Sequence, residues 1–160
     1  MILKRQAYRH VDYVSFMNFK ELQKFVDHWR RGSCMEQRTA YLYGYFSEDP
    51  NYPLGIRVNI EAIYDPPQIS EISGFVEMDD PGLHKVDMIA SALGLERVGQ
   101  LFTKIDQDTI LTADEVKKAA SLQQQYSFEH PMNLQVPKFV TVVVSMKGED
   151  VEVNAYMVSD

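Results

Sequence analysis

Four histidines (His10, His28, His84, His130) and one cysteine (Cys34) are the side chains best suited to hold a metal or act as a nucleophile. No two histidines are close in sequence. Neither His-x-His nor His-Glu-x-x-His occurs, the patterns that set two imidazoles on one metal ion. Cys34 follows Arg31-Gly32-Ser33, with His28 shortly before it, and neighbouring arginines favour a thiolate. No local signature of a cysteine hydrolase surrounds it. The carboxylates Asp79-Asp80 and Asp49 read as turn and helix-start residues rather than an acid–base pair. Neither a Gly-x-Gly-x-x-Gly turn nor a P-loop is present to cradle phosphates. By pattern alone the chain reads as a binding or scaffolding domain.

The composition narrows this further. The 160 residues carry 16 Lys+Arg against 23 Asp+Glu, a formal net charge of −7. That balance leaves no cationic excess to displace counterions from phosphates, so nucleic acid is a poor partner. A chain of this length with 45% hydrophobic residues buries roughly 70% of its unfolded surface, without help from disulfides or metal. One cysteine admits no internal disulfide and no cysteine-built zinc site, which fits a reducing compartment. Apolar runs such as Val142-Val143-Val144 fall far short of a membrane span, and Met1-Ile2-Leu3-Lys4-Arg5-Gln6 lacks the apolar core of a signal peptide. The prediction is a soluble intracellular domain with no membrane insertion.

The elements that must position any site follow from periodicity. Phe19, Leu22, Phe25, Val26 and Trp29 recur at helical spacing, which predicts a helix over 19–31. Asn18 stands as its N-cap, with Glu21 completing a capping box, and Gly32 stops it. Segments 38–46 and 54–64 alternate as an antiparallel strand pair, and 68–78 reads as a third strand or extended connection. Asp80-Pro81 opens a second helix with Leu83, Val86, Ile89, Ala90 and Leu93 inward and Gly94 as its C′ residue. A strand over 95–103, a helix over 113–125 and a hairpin of 138–147 with 151–158 across Gly148-Glu149-Asp150 complete the chain. The order predicts a mixed α/β domain of the α+β type, with helices flanking a largely antiparallel curved sheet.

Several segments carry more than periodicity. They are Tyr8-Arg9-His10-Val11-Asp12, Tyr41-Leu42-Tyr43-Gly44, Pro53-Leu54-Gly55-Ile56-Arg57 and Ala62-Ile63-Tyr64-Asp65-Pro66-Pro67-Gln68. Leu93-Gly94-Leu95-Glu96-Arg97-Val98-Gly99 with Phe102-Thr103, and Lys138-Phe139-Val140-Thr141, follow in the same order. At these distances they resemble the MPN domain of the nuclear protein localization four family, over residues 8–158 with 1–7 as an extension. The resemblance implies an MPN/JAB-like fold in the catalytically inactive branch of the MPN/JAMM superfamily. It implies a ubiquitin-recognition cofactor of the valosin-containing AAA unfoldase, paired with a ubiquitin-fusion-degradation subunit, in cytoplasm and nucleus. It also implies a role in ubiquitin-dependent degradation, including that of endoplasmic-reticulum substrates.

Active relatives carry a zinc site of one glutamate, two histidines, a serine and an aspartate. The resemblance matches the glutamate position with Gln37, the histidine positions with Phe102 and Lys104, and the Ser-x-x-Asp positions with Thr112 and Glu115. Phe102 has no lone pair and Lys104 is cationic, so the implied domain has no metal, no cofactor and no catalytic residue. Thr112-Ala113-Asp114-Glu115 is also complete as a helix capping box that needs no metal. These five positions form a candidate groove for an unfolding ubiquitin segment. Tyr41, Tyr43, Tyr45 and Tyr64 are candidate contact aromatics, with half-buried packing as their alternative role. A structural platform for neighbouring domains and partner subunits is the competing function. The loop over 104–111 is shorter than the family pattern. The family's ubiquitin-like module, zinc finger and C-terminal domain are expected to lie outside this chain, which reads as an excised domain or a short divergent member.

Overall fold

Thr39 to Glu48 and Ile56 to Tyr64 form the centre of the fold because their apolar residues alternate and a turn rich in proline and asparagine joins them. The computed structural model describes residues 11–32, 34–53, 55–71, 74–105, 109–130, 134–148 and 150–159. In chain order its elements are β1 (Tyr13–Phe16), α1 (Phe19–Arg31), β2 (Thr39–Glu48), β3 (Ile56–Tyr64), β4 (Gln68–Glu71), β5 (Gly74–Glu77) and α2 (Leu83–Ala92). Then come β6 (Glu96–Lys104), α3 (Ala113–Gln125), β7 (Phe128–His130), β8 (Leu134–Val136), β9 (Val140–Lys147) and β10 (Asp150–Tyr156).

The main sheet runs β1-β3-β2-β6-β9-β10, while β4-β5 and β7-β8 are separate hairpins. β2 is antiparallel to both neighbours and β10 to β9, whereas β1 with β3 and β6 with β9 run parallel. The sheet curls until its two edge strands line one cavity, where the Val11 N–H meets the Met157 sulfur at 3.3 Å. This curved sheet flanked by helices is the mixed α+β arrangement of an MPN-like domain.

The two faces of the sheet have different fillings. The inner face carries Ala40, Leu42, Val58, Ile60, Val98, Leu101, Val140, Val142 and Val144, packed on Leu22, Phe25, Val26 and Trp29 of α1. Each of these large side chains contributes roughly 1.5–3 kcal/mol by leaving water. The Trp29 indole N–H keeps a partner in the Glu36 carbonyl at 2.9 Å. The outer face carries Tyr41 and Tyr43 beneath α2, and Gln100, Phe102 and Lys104 beside α3 and the β4-β5 hairpin. Gly44 of β2 stands opposite a bulge in β3, whose extra residue is Glu61, and a Cβ on Gly44 would lie 1.9 Å from the Asn59 carbonyl oxygen.

Most predicted elements form, with instructive departures. Asn18 makes no side-chain cap; its carbonyl takes the Glu21 N–H, and the Glu21 carboxylate turns to Lys24 at 2.6 Å instead. Gly32 ends α1 at φ −79°, so the left-handed residue is Cys34 at φ 54°. Helix α2 starts at Leu83 because Asp80 accepts the Gly82 N–H and holds Pro81 in a preceding turn. Its Ile89 and Leu93 are exposed, against the expected inward face, since only Leu83, Val86 and Ala90 reach the tyrosines. Gly94 is left-handed at φ 76°, as a C′ glycine should be. The capping box at Thr112 forms with both bonds. Segment 68–78 resolves into β4 and β5, and β1, β7 and β8 are additions. Among the described residues no helix is long and apolar enough to cross a membrane.

Candidate functional site

The site begins with the first turn of α3. The Thr112 hydroxyl accepts the Glu115 N–H at 3.3 Å and the Glu115 carboxylate accepts the Thr112 N–H at 2.7 Å. Those two bonds fix the glutamate rotamer, so its carboxylate faces the end of β6. There the Lys104 ammonium lies 3.1 Å from Glu115 Oε2 and donates to the Ile110 carbonyl at 3.3 Å. Gln37, just before β2, donates to Glu115 Oε1 at 3.4 Å. Burial alone would raise the Glu115 pKa, but the Thr112 N–H and the ammonium win and hold it below the usual carboxylate range.

All five sequence-matched positions, Gln37, Phe102, Lys104, Thr112 and Glu115, line one cavity of about 560 Å³. Gln100, Phe102 and Lys104 form its floor because alternate residues of a strand share a face. Phe102 is recessed at 2% exposure, so the reachable walls are the α3 turn and the hairpin. Phe75 of β5 packs over Phe102 with ring centroids 6.3 Å apart. Lys118, one turn beyond Glu115, closes that end: its ammonium lies 2.8 Å from Glu77 and 4.0 Å above the Phe75 ring. Glu77 also accepts the Tyr41 hydroxyl. Burial opposes ionisation of Glu77, and the bonds from Lys118 and Tyr41 outweigh it, leaving the pKa lowered.

Gln100, Phe75 and Lys118 were not singled out by sequence. Gln100 and Lys118 had a signal, at strand spacing from Phe102 and helix spacing from Glu115. Phe75 had none, since its place depends on how the hairpin docks.

The tyrosine expectation needs correcting. Tyr41 and Tyr43 are buried, not exposed contacts. The Arg97 guanidinium lies 4.4 Å from the Tyr41 ring centroid and bonds both oxygens of Asp87 at 2.8 and 2.7 Å. Tyr43 donates to Asp87 at 2.6 Å. Burial, then hydrogen bonding to a carboxylate, pushes both phenols well above the ordinary tyrosine value. Tyr64 is half-buried and donates to Asp80, leaving Tyr45 as the exposed member of the four.

Among the described residues no group of three or more His, Cys, Asp or Glu is placed to hold a metal ion. His10 lies outside the described residues. Cys34 is partly buried against the main core.

The model of the NPL4 family matches residues 38–160. The chain belongs to the NPL4 family. It is 36% identical to the nuclear protein localization protein 4 homolog of Drosophila melanogaster across 98% of this chain and 27% of that protein. With homolog 1 of Caenorhabditis elegans it shares 34% identity across 99% of this chain and 33% of that protein. The human homolog is 44% identical across 67% of this chain and 17% of that protein. The chain therefore spans a third or less of the NPL4 relatives it matches. The Drosophila alignment runs to 180 residues, longer than this chain, so that relative carries insertions.

Proposed function

We propose that this chain is the non-catalytic MPN domain, residues 8–158, of a substrate-recruiting cofactor, and that its outer-face cavity receives an extended segment of ubiquitin. The observation that carries this reading is the convergence of Gln37, Phe102, Lys104, Thr112 and Glu115 on one cavity whose polar centre is already neutralised. Glu115 spends its carboxylate on the Lys104 ammonium and a helix start, and among the described residues no imidazole lines the cavity. A cavity so furnished suits binding better than hydrolysis. Phe75, packed over the recessed Phe102, offers an apolar slot, and an extended chain adds backbone hydrogen bonds to side-chain contacts. Within the longer protein, the domain would help deliver polyubiquitinated substrates to the valosin-containing AAA unfoldase together with a ubiquitin-fusion-degradation subunit, in cytoplasm and nucleus. The relatives' names support only the nuclear part of that assignment.

The test is an NMR titration of the labelled 160-residue chain with native ubiquitin and with a destabilised variant that unfolds readily. Shifts near Phe75, Phe102 and Glu115 with the destabilised variant alone are the expected result, because native ubiquitin must first unfold. An unchanged spectrum with both ligands at millimolar excess removes the groove.

A platform role is favoured by a different observation. Met88 and Ile89 of α2 and Leu93 at its C-terminal cap are 60%, 62% and 72% exposed, an apolar patch that a neighbouring subunit or domain would cover. The first helix, by contrast, turns Leu22, Phe25, Val26 and Trp29 into the core.

A further inference from the structure

The cavity beside α3 does not end at Lys104. A second cavity, of about 480 Å³, opens on the other side of the same residue, over the outer face of β9 and β10. Strand register explains why the two adjoin. Phe102 stands opposite Val143, and Val143 opposite Asn154; Lys104 stands opposite Ser145, and Ser145 opposite Glu152. Residues so paired share a face, so one row of side chains runs from the floor of the first cavity to the floor of the second. The rows are two strand spacings long, about 10 Å, which an extended chain covers in about three residues.

We infer that the binding surface has two stations, an apolar slot at Phe75 and Phe102 and a polar trough at Ser145 and Asn154, and that one unfolded polypeptide segment lies across both. This rests on the groove reading above and adds the character of its ligand: an apolar side chain with a polar residue about three positions away. The chemistry of the stations differs accordingly. Ser145 and Asn154 supply a hydroxyl and a carboxamide, each able to donate to and accept from a peptide backbone. The first station offers the Phe75 ring instead, backed by Phe102. The ridge between them favours passage. The Lys104 ammonium is tied back to Glu115 and the Ile110 carbonyl and is 2% exposed, while Ile110 itself is 70% exposed. A chain crossing there meets the Ile110 side chain rather than the Lys104 ammonium.

Affinity for destabilised ubiquitin, measured by titration calorimetry on the 160-residue chain and its variants, tests this. Ser145→Arg fills the trough and Asn154→Ala removes its carboxamide, while Phe75→Ala trims the slot; thermal melts and NMR spectra verify that each is folded. The expected result is a Kd raised about tenfold by Ser145→Arg and about threefold by Asn154→Ala, alongside a loss with Phe75→Ala. If Phe75→Ala weakens binding and both trough variants bind as the parent does, the second station is overturned and the groove stands. If the parent chain binds nothing, or Phe75→Ala changes nothing, the groove reading fails and the two-station surface falls with it.

Discussion

The Lys104 ammonium and the Glu115 carboxylate, 3.1 Å apart and 3% and 16% exposed, form an ion pair at the junction of a strand end and a helix start. The same Glu115 oxygen takes the Thr112 N–H. One carboxylate thus caps α3 and neutralises the Lys104 ammonium, which in turn holds the loop before the helix through the Ile110 carbonyl.

Removing one partner of so buried a pair leaves the other uncompensated. Glu115→Gln should cost about 3 kcal/mol, because the ammonium stays buried and the capping box weakens. Lys104→Met should cost less, since it leaves a carboxylate that two backbone and side-chain donors still serve. The double variant should be more stable than the two losses added together. Urea titrations followed by fluorescence of Trp29, the only tryptophan, read all three. Strict additivity would show that the pair is not coupled.

Acid should find the same group. The folded-state pKa of Glu115 is lowered, as are those of Glu77 and Asp87. Between the folded value and the ordinary carboxylate value near 4.3, the unfolded chain binds more protons, so stability falls as pH falls. The contribution is full above the ordinary value and is lost as pH drops through the lowered ones. Midpoints of urea unfolding from pH 7 to pH 3 should decline below about pH 4.5, and Glu115→Gln should decline less steeply. Parallel curves would assign the acid sensitivity elsewhere.

How much of this was legible in sequence depended on how local the cause was. The capping box at Thr112 needs only four neighbouring residues, and it forms as read. Helix α1 announces itself through one apolar stripe. Asn18 shows the limit of that approach: the right residue types stand at the right spacing, yet Glu21 has Lys24 within reach and prefers it. Strand β1 was invisible because four residues pair in parallel with β3, some forty positions away, with no local alternation to mark them. The tyrosines of β2 alternate as a surface strand would. Their burial comes from α2 and Arg97, whose positions only the tertiary fold supplies. The five cavity residues came from resemblance to a family pattern; nothing in their local spacing brings Gln37 to Glu115.

Two glycines should respond differently to alanine. At Gly44 the obstacle is the Asn59 carbonyl, 1.9 Å from where a Cβ would sit, and neither strand can retreat without breaking the β2-β3 ladder. Gly44→Ala should cost about 3 kcal/mol, at the upper end of overpacking. At Gly94 there is open space and only the left-handed backbone to strain, so Gly94→Ala should cost about 1 kcal/mol. Chemical denaturation ranks them directly. Equal losses would mean that the β3 bulge opposite Gly44 can relax.

The hairpin wall of the cavity should be the easiest element to loosen, and Gln68 is its hinge to the sheet. Beyond Tyr41 the β3 strand has turned away from β2, leaving Thr39 without a strand partner on that side. The Gln68 carboxamide fills the place, accepting the Thr39 N–H and donating to the Thr39 carbonyl, each at 2.8 Å. Gln68→Ala strands two polar groups of a fully buried residue and should cost about 2 kcal/mol. Lys118→Met breaks a more exposed pair, worth about 0.5–1 kcal/mol, yet removes the strap from α3 to Glu77. Hydrogen exchange separates the two effects. Amides of β5 should exchange about tenfold faster in either variant, while those of β2 and β6, which open only on global unfolding, should speed up markedly only in Gln68→Ala, where sheet and hairpin share the damage. Unchanged exchange in β5 would mean that Phe75 and Tyr41 hold the wall without help.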